Sequence, residues 1–194
     1  MSNQIESFLS NIWSQFPDLQ NKEFTDVTDR EKFATLDDHI DAKYVNFEAK
    51  RKDLYRLSMM IENYAQRAYS PLLATFETES LYKYVEDRYV EILKNIPKAW
   101  IVGGFDNPFF APRTPVDTAE LLTCAGTTLQ NMWIVITKGP DGPFGLVAED
   151  LGGDRFRGFF TTHSKILFKV IDKINGTMMT DIDFKKSEWN IMEQ

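Results

Sequence analysis

The chain has 194 residues, a formal net charge of −7, 43% hydrophobic residues and 26% charged residues. These proportions are typical of a globular protein, and a chain of this length can bury a sizeable core without disulfides. The acidic balance disfavours a nucleic-acid binder, which needs a concentrated positive surface. No apolar run approaches the roughly 20 residues that cross a bilayer, so we expect no membrane span. The first residues lack a basic head and an apolar signal core, so we expect a cytoplasmic protein.

Residues 1–48 predict an N-terminal helical extension. Apolar residues recur at spacings of three and four before Pro17, which is typical of an amphipathic helix. The apolar stripe comprises Ile5, Phe8, Leu9, Ile12, Trp13 and Phe16. We expect it to pack against the long helix that follows or against another chain. Residues 20–50 are polar and predict irregular connections around a short helix near 30–40.

An α/β domain is predicted over residues 49–180, with residues 181–194 as a C-terminal tail. Its first predicted elements are, in chain order, a helix over 49–68, a strand over 72–76, a helix over 81–96 and a strand over 99–104. Pro71 ends the first of these helices. The last three elements form a βαβ unit, whose strands should be parallel and whose crossover should be right-handed.

The remaining elements predict an antiparallel part of the sheet. They are, in chain order, a loop over 105–115 with three prolines, a short helix around 116–123, a hairpin with its turn at 139–143, an additional strand or sheet edge over 155–161, and a helix over 166–174. The predicted fold class is therefore α/β. It is a mixed sheet with a parallel βαβ unit and a C-terminal antiparallel hairpin, preceded by the N-terminal helical extension.

Phenylalanines near predicted strand ends are the first candidate binding residues. They are Phe105, Phe109, Phe110, Phe159 and Phe160. Ligand crevices in open α/β sheets form outside the carboxyl ends of strands. These rings therefore predict an apolar pocket or a partner-binding surface, although packing in the core explains the same residues.

Two arginines in the strand over 155–161 are the second candidate binding group. Period two places Arg155 and Arg157 on one face of that strand, which should be polar. We expect them to pair with Asp150, with Asp154 or with carboxylates of a partner.

Residue types that are common in catalysis form no recognisable constellation. Cys124 is the single cysteine, and its apolar surroundings are typical of a small buried residue. His163 precedes a predicted helix, where a capping or surface role needs no catalytic partners. Asp181 and Asp183 alone cannot complete a metal site. We therefore predict that the protein is not an enzyme, and we assign no metal and no particular cofactor.

The C-terminal third resembles the DICT sensory domain, a family that is named for its occurrence with diguanylate cyclases and two-component proteins. The similarity lies in residues 133–136, 145–150 and 155–162, which an apolar helix follows. It extends over roughly residues 50–176, and Phe160 stands where family members often have tryptophan. The resemblance implies a non-catalytic sensory or regulatory module of bacterial signalling that binds a small ligand or a protein partner.

Two other functions remain open on the sequence. A structural adaptor would assemble through its N-terminal helices and leave the stripe over residues 5–16 exposed in the monomer. A small enzyme or nucleotide-binding protein would use Cys124 or His163 in an unrecognised site. The partners that we expect are a signalling protein or a second copy of the chain, and the expected ligand is small and apolar.

Overall fold

The computed structural model describes residues 6–105 and 117–185. Within them the helices are α1 (Phe8–Ser14), α2 (Pro17–Gln20), α3 (Leu36–Ala42), α4 (Arg51–Arg67), α5 (Glu79–Leu93) and α6 (Ser164–Met178). The strands are β1 (Tyr44–Ala49), β2 (Leu72–Phe76), β3 (Ala99–Gly103), β4 (Ala119–Thr123), β5 (Met132–Gly139), β6 (Gly142–Gly152) and β7 (Arg155–Thr161). No helix in the described ranges is long and apolar enough to span a membrane.

The seven strands form one mixed sheet in the order β1-β7-β6-β5-β2-β3-β4. Strands β2, β3 and β4 are parallel to one another, whereas the other neighbouring pairs are antiparallel. Helix α5 connects β2 to β3, and Thr78 caps its start by accepting a hydrogen bond from the backbone N–H of Leu81. The predicted fold class, with its parallel βαβ unit, its hairpin and its N-terminal helix, is confirmed.

Helices cover both faces of the sheet. On one face, α4 packs against β5 and β6, α5 packs against β2 and β3, and α3 packs beside α4. Trp13 of α1 lies on the other face, 6.4 Å from Phe159, which points away from Phe160 because strand residues alternate. Lys173 of α6 lies over the Phe8 ring of α1. The core therefore has two apolar layers, one on each side of the sheet.

Strands β1 and β4 correct the sequence-based prediction. The segment that holds β1 was expected to be irregular, yet β1 pairs with β7 over its whole length. The sequence did not predict β1 because Asn46, a polar residue that is buried, interrupts its run of apolar residues. A helix was predicted around 116–123, but Ala119–Thr123 extends the parallel part of the sheet beside β3. Strand β7 is internal, between β1 and β6, and does not form a sheet edge.

A chain of hydrogen bonds fixes the N-terminal segment to β1. The indole N–H of Trp13 donates to the Tyr44 hydroxyl (3.1 Å), which donates to the side-chain oxygen of Asn46 (2.7 Å). The amide nitrogen of Asn46 donates in turn to the carbonyls of Leu19 and Lys22. These bonds satisfy a buried polar group and hold α1 and α2 against the sheet.

The apolar stripe of α1 does not pack against α4 as predicted. Phe8, Leu9, Ile12 and Trp13 are buried on the sheet face opposite to α4, while Ile5 lies outside the described residues. The proposed boundary between residues 48 and 49 falls inside β1. On the same face as α1, Phe184 is buried with its ring 5.2 Å from that of Trp100.

Candidate functional site

A cleft of about 520 Å³ opens between α4 and α5 above the centre of the sheet. The gap exists because α4 packs over β5 and β6, whereas α5 packs over β2 and β3. The carboxyl end of β2 and the first residues of β5 form its floor. Here β2 has a parallel neighbour on one side and an antiparallel one on the other. Crevices at the carboxyl ends of strands are common ligand sites in α/β proteins, and this volume is within the range of small-molecule pockets.

Aromatic side chains form most of the apolar wall of the cleft. They are Tyr55, Phe76, Tyr84, Tyr89 and Trp133. Trp133 is held in one orientation, because its indole N–H donates to the Ser58 hydroxyl (2.9 Å) and its ring meets Phe156 edge-on. Tyr84, at the mouth, is 86% exposed. The wall therefore combines a fixed indole inside with a free phenol ring at the entrance.

The inner end of the cleft holds a buried carboxylate. Glu62 of α4 is 1% exposed and accepts hydrogen bonds from the Arg88 guanidinium and the Tyr89 hydroxyl of α5. Burial raises the pKa of Glu62, and the bonds from Arg88 and Tyr89 oppose that rise. This group joins the two helices that border the cleft. Both oxygens of the carboxylate accept hydrogen bonds from protein donors, so Glu62 positions its neighbours.

The Tyr89→Phe variant should lower the free energy of unfolding by about 1.5–3 kcal/mol, because it removes a hydrogen bond to a buried charged group. Tyr82→Phe is the matched control. Both tyrosines are fully buried on α5, but the Tyr82 hydroxyl has no hydrogen-bond partner among the described residues. Removal of the Tyr82 hydroxyl should leave the free energy of unfolding unchanged or raise it. Urea unfolding of both variants measures the difference, and equal losses would contradict a stabilising role for the Tyr89 hydroxyl.

The mouth of the cleft is built around Arg51, the first residue of α4. Its guanidinium lies over the rings of Trp133 (5.4 Å) and Phe156 (4.9 Å). It is also 3.6 Å from a carboxylate oxygen of Glu77 and 3.8 Å from one of Asp150. Arg51 therefore brings together the start of α4, the end of β2 and strand β6.

Asp154, in the turn between β6 and β7, fixes the start of α4. Its carboxylate accepts a hydrogen bond from the backbone N–H of Arg51 (3.0 Å). Asp154 has a φ of 60°, in the left-handed region that aspartate tolerates better than most residues. This turn closes one side of the mouth.

Glu77 ionises near neutral pH. Burial is the main cause and the neighbouring Asp150 carboxyl adds to it, so the pKa of Glu77 rises from 4.5 to about 7 although Arg51 opposes the shift. A carboxyl in this state can donate as well as accept a hydrogen bond at physiological pH. The charge of the mouth therefore depends on pH.

Stability should fall as pH rises through the folded pKa of Glu77. The folded state keeps a proton that the unfolded chain releases near its ordinary pKa of 4.5. The stabilisation from this group is thus complete below that value and is lost as pH rises through about 7. We expect the wild type to lose stability relative to Glu77→Gln between about pH 5 and pH 8 in urea unfolding. The exposed Glu91→Gln is the control, and parallel profiles for Glu77→Gln and wild type would contradict the shift.

The structure places three of the predicted phenylalanines in the core. Phe105, Phe159 and Phe160 are buried away from the cleft, while Phe109 and Phe110 lie outside the described residues. Phe105 packs edge-on against Tyr82. Among the described residues, the cleft therefore contains none of the predicted phenylalanines.

Arg155 and Arg157 do not pair with Asp150 or Asp154, so that part of the prediction is wrong. Arg155 lies 3.5 Å from Glu48 of β1, and Arg157 donates to Glu149 of β6 at 2.5 Å. Both acids are cross-strand neighbours of Arg157 in the sheet register, which the sequence could not show. Neither arginine lines the cleft.

Two residues that were considered for catalysis occupy structural positions. Cys124 is buried, and burial raises the pKa of its thiol to about 11, so it is not a thiolate at neutral pH. His163 is the exposed N-cap of α6 and makes no side-chain capping bond. No group of three or more His, Cys, Asp or Glu side chains could hold a metal ion within residues 6–105 and 117–185.

Sequence reasoning missed the cleft, although one signal was present. Ser58 and Glu62 are four residues apart on α4 and both are buried. Two residues at that spacing lie on the same face of a helix. Ser58 and Glu62 therefore lie on the apolar face of α4 although both are polar. Such a pair indicates either a buried polar network or a lined cavity, and the structure contains both.

Comparisons of the chain with protein-family models, with curated proteins and with solved structures found no match. The resemblance to the DICT sensory domain therefore stays a prediction.

Proposed function

We propose that the protein is a non-catalytic module that binds a small ligand in the cleft between α4 and α5. The cleft itself carries the proposal: it is a cavity of about 520 Å³ with a largely aromatic wall and a few oriented polar groups. This combination is characteristic of small-molecule sites. The buried polar group at its inner end positions neighbouring side chains, and Cys124 lies elsewhere as a neutral thiol.

The sensory or regulatory part of the proposal rests on the resemblance to the DICT domain. A ligand in this cleft would contact α4 and α5 together, and it could shift the relative stability of two arrangements of these helices. The proposed recipient of that change is a signalling protein partner or a second copy of the chain. The proposed location is the cytoplasm, where a single unpaired cysteine is ordinary.

An adaptor that assembles through an exposed N-terminal helix receives less support. That function requires the α1 stripe to be free in the monomer, yet Phe8, Leu9, Ile12 and Trp13 are buried in the core. The ligand-binding proposal needs no such rearrangement.

Native mass spectrometry of the full chain, purified from its source, tests the proposal. We expect a folded protein with a bound small molecule that is lost from the Trp133→Leu variant, because Trp133 lines the cleft. A Leu151→Ala variant, changed at a surface residue outside the cleft, should retain it. A protein without any bound molecule, or equal retention by both variants, would contradict binding in the cleft.

A further inference from the structure

Two flat cationic side chains lie against the aromatic rings of the cleft. The Arg51 guanidinium covers Trp133 and Phe156, and the Arg88 guanidinium lies 5.3 Å from the Tyr55 ring and 5.2 Å from the Tyr89 ring. Guanidinium planes and aromatic rings both stack on flat ring systems. The lining therefore suits a planar ring better than a flexible aliphatic chain.

When Glu77 is ionised, the charges that line the cleft are balanced. Three cationic side chains, Arg51, Lys52 and Arg88, stand against three carboxyl groups, those of Glu62, Glu77 and Asp154. The two signs alternate from the inner end to the mouth, since Arg88 pairs with Glu62 and Arg51 lies beside Glu77. The lining therefore has no excess of one sign that would attract a charged ligand. A neutral ligand needs no such attraction.

Two buried polar atoms in the wall make no hydrogen bond among the described residues. They are Nε of Arg88 and Oε1 of Glu77, and the latter has the Arg51 guanidinium 3.6 Å away as its ion-pair partner. Arg88 Nε can only donate, whereas the Glu77 carboxyl can accept and, when protonated, donate. Because unpaired buried polar atoms are unfavourable, a ligand with both acceptors and donors on its edge fits better than a hydrocarbon.

We propose that the cleft binds a neutral, purine-sized heteroaromatic ring, of the kind found in a nucleoside without phosphate. Such a ring packs among Trp133, Tyr55 and the two guanidinium planes, and its edge nitrogens and exocyclic groups supply hydrogen-bond partners for Arg88 Nε and Glu77 Oε1. A phosphate would bring negative charge into a cleft whose lining has no excess of positive charge when Glu77 is ionised. This inference rests on the proposed function and specifies the chemistry of its ligand.

Isothermal titration calorimetry of the full chain with four probes tests the ring and its charge. Adenosine and guanosine are neutral purine nucleosides, adenosine monophosphate adds a phosphate to the same ring, and tryptamine is an aromatic cation. We expect at least one nucleoside to bind about tenfold more tightly than either charged probe, a difference that corresponds to about 1.4 kcal/mol. Tighter binding of a charged probe, or no binding of either nucleoside, would overturn the inference.

A matched pair of variants locates the binding. Tyr55→Leu, inside the cleft, should weaken nucleoside binding about tenfold, because it removes a stacking ring. Tyr69→Leu, at a half-exposed tyrosine outside the cleft, should leave the affinity unchanged. If circular dichroism shows that Tyr55→Leu is unfolded, Trp133→Leu serves as the second cleft variant. Equal affinities for the cleft and control variants would show that the nucleoside binds elsewhere and would refute the inference.

A neutral apolar dye separates this inference from the proposed function. Nile red that binds to the wild type and not to Tyr55→Leu, together with absent nucleoside binding, would leave the cleft as a ligand site and reject only the purine-sized ring. Absence of Nile red binding, of nucleoside binding and of any copurified molecule would reject both.

Discussion

Deletion of residues 1–16 is expected to unfold the protein or to lower its free energy of unfolding by at least about 6 kcal/mol. The deletion removes four buried side chains, Phe8, Leu9, Ile12 and Trp13. Burial of each stabilises the fold by about 1.5–3 kcal/mol. The deletion also exposes Phe159 of the sheet, against which Trp13 packs. Urea unfolding monitored by circular dichroism measures the loss.

A point variant tests the same contacts without shortening the chain. Trp13→Ala should cost about 3–5 kcal/mol, because it opens a cavity over Phe159 and removes the hydrogen bond to Tyr44. Tyr84→Ala, which truncates an aromatic residue that is 86% exposed, should stay within about 0.5 kcal/mol of wild type. A truncated chain as stable as the full one would show that α1 contributes nothing to the core.

The Arg157→Glu variant should lower the free energy of unfolding by about 3–5 kcal/mol. Arg157 donates to Glu149, whose side chain is only 3% exposed, and its guanidinium lies 5.7 Å from the centre of the Trp13 ring. The substitution removes the guanidinium that pairs with the buried Glu149 carboxylate and places a second carboxylate beside it. Near neutral pH the fold must then bury a charge without a partner or take up a proton.

Arg155→Glu is the matched control on the same face of the same strand. Arg155 pairs with Glu48, and their side chains are 66% and 56% exposed. Water and salt screen such a pair, so the expected loss is at most about 1 kcal/mol. Urea unfolding of the two variants at pH 7 compares them directly. Similar small losses would mean that the Arg157–Glu149 pair is well solvated.

The deletion of residues 1–16 and the variants at Trp13, Arg155 and Arg157 change no residue that lines the cleft. Residues of α1 and the side chain of Arg157 lie on the sheet face opposite to α4 and α5, and none of them lines the cavity. A change in ligand affinity from Trp13→Ala would therefore indicate a general loss of the fold. Changes confined to Tyr55 or Trp133 report on the site itself.

Local periodicity was enough to predict the helices and the βαβ unit. The spacing of apolar residues in α1, α4 and α5 follows the helical repeat, and the apolar runs of β2 and β3 are those of strands covered on both sides. Proline and glycine residues marked the hairpin turn. Each of these signals acts within a few residues, so the sequence by itself determined the type of these elements and the α/β class.

Pairing between distant segments was decided only by the tertiary structure. Strand β1 is defined by its pairing with β7. Its polar residue Asn46 can be buried there because its amide donates to carbonyls 24 and 27 residues earlier in the chain. Strand β4 was predicted as a helix and depends on its parallel neighbour β3. The partner of Arg157 follows from the register of β6 and β7. The cleft likewise needs Glu62 and Arg88, 26 positions apart, on two helices over one face. Local repeats give the type of an element, but the distance between two elements, and hence a cavity between them, depends on contacts across the whole fold.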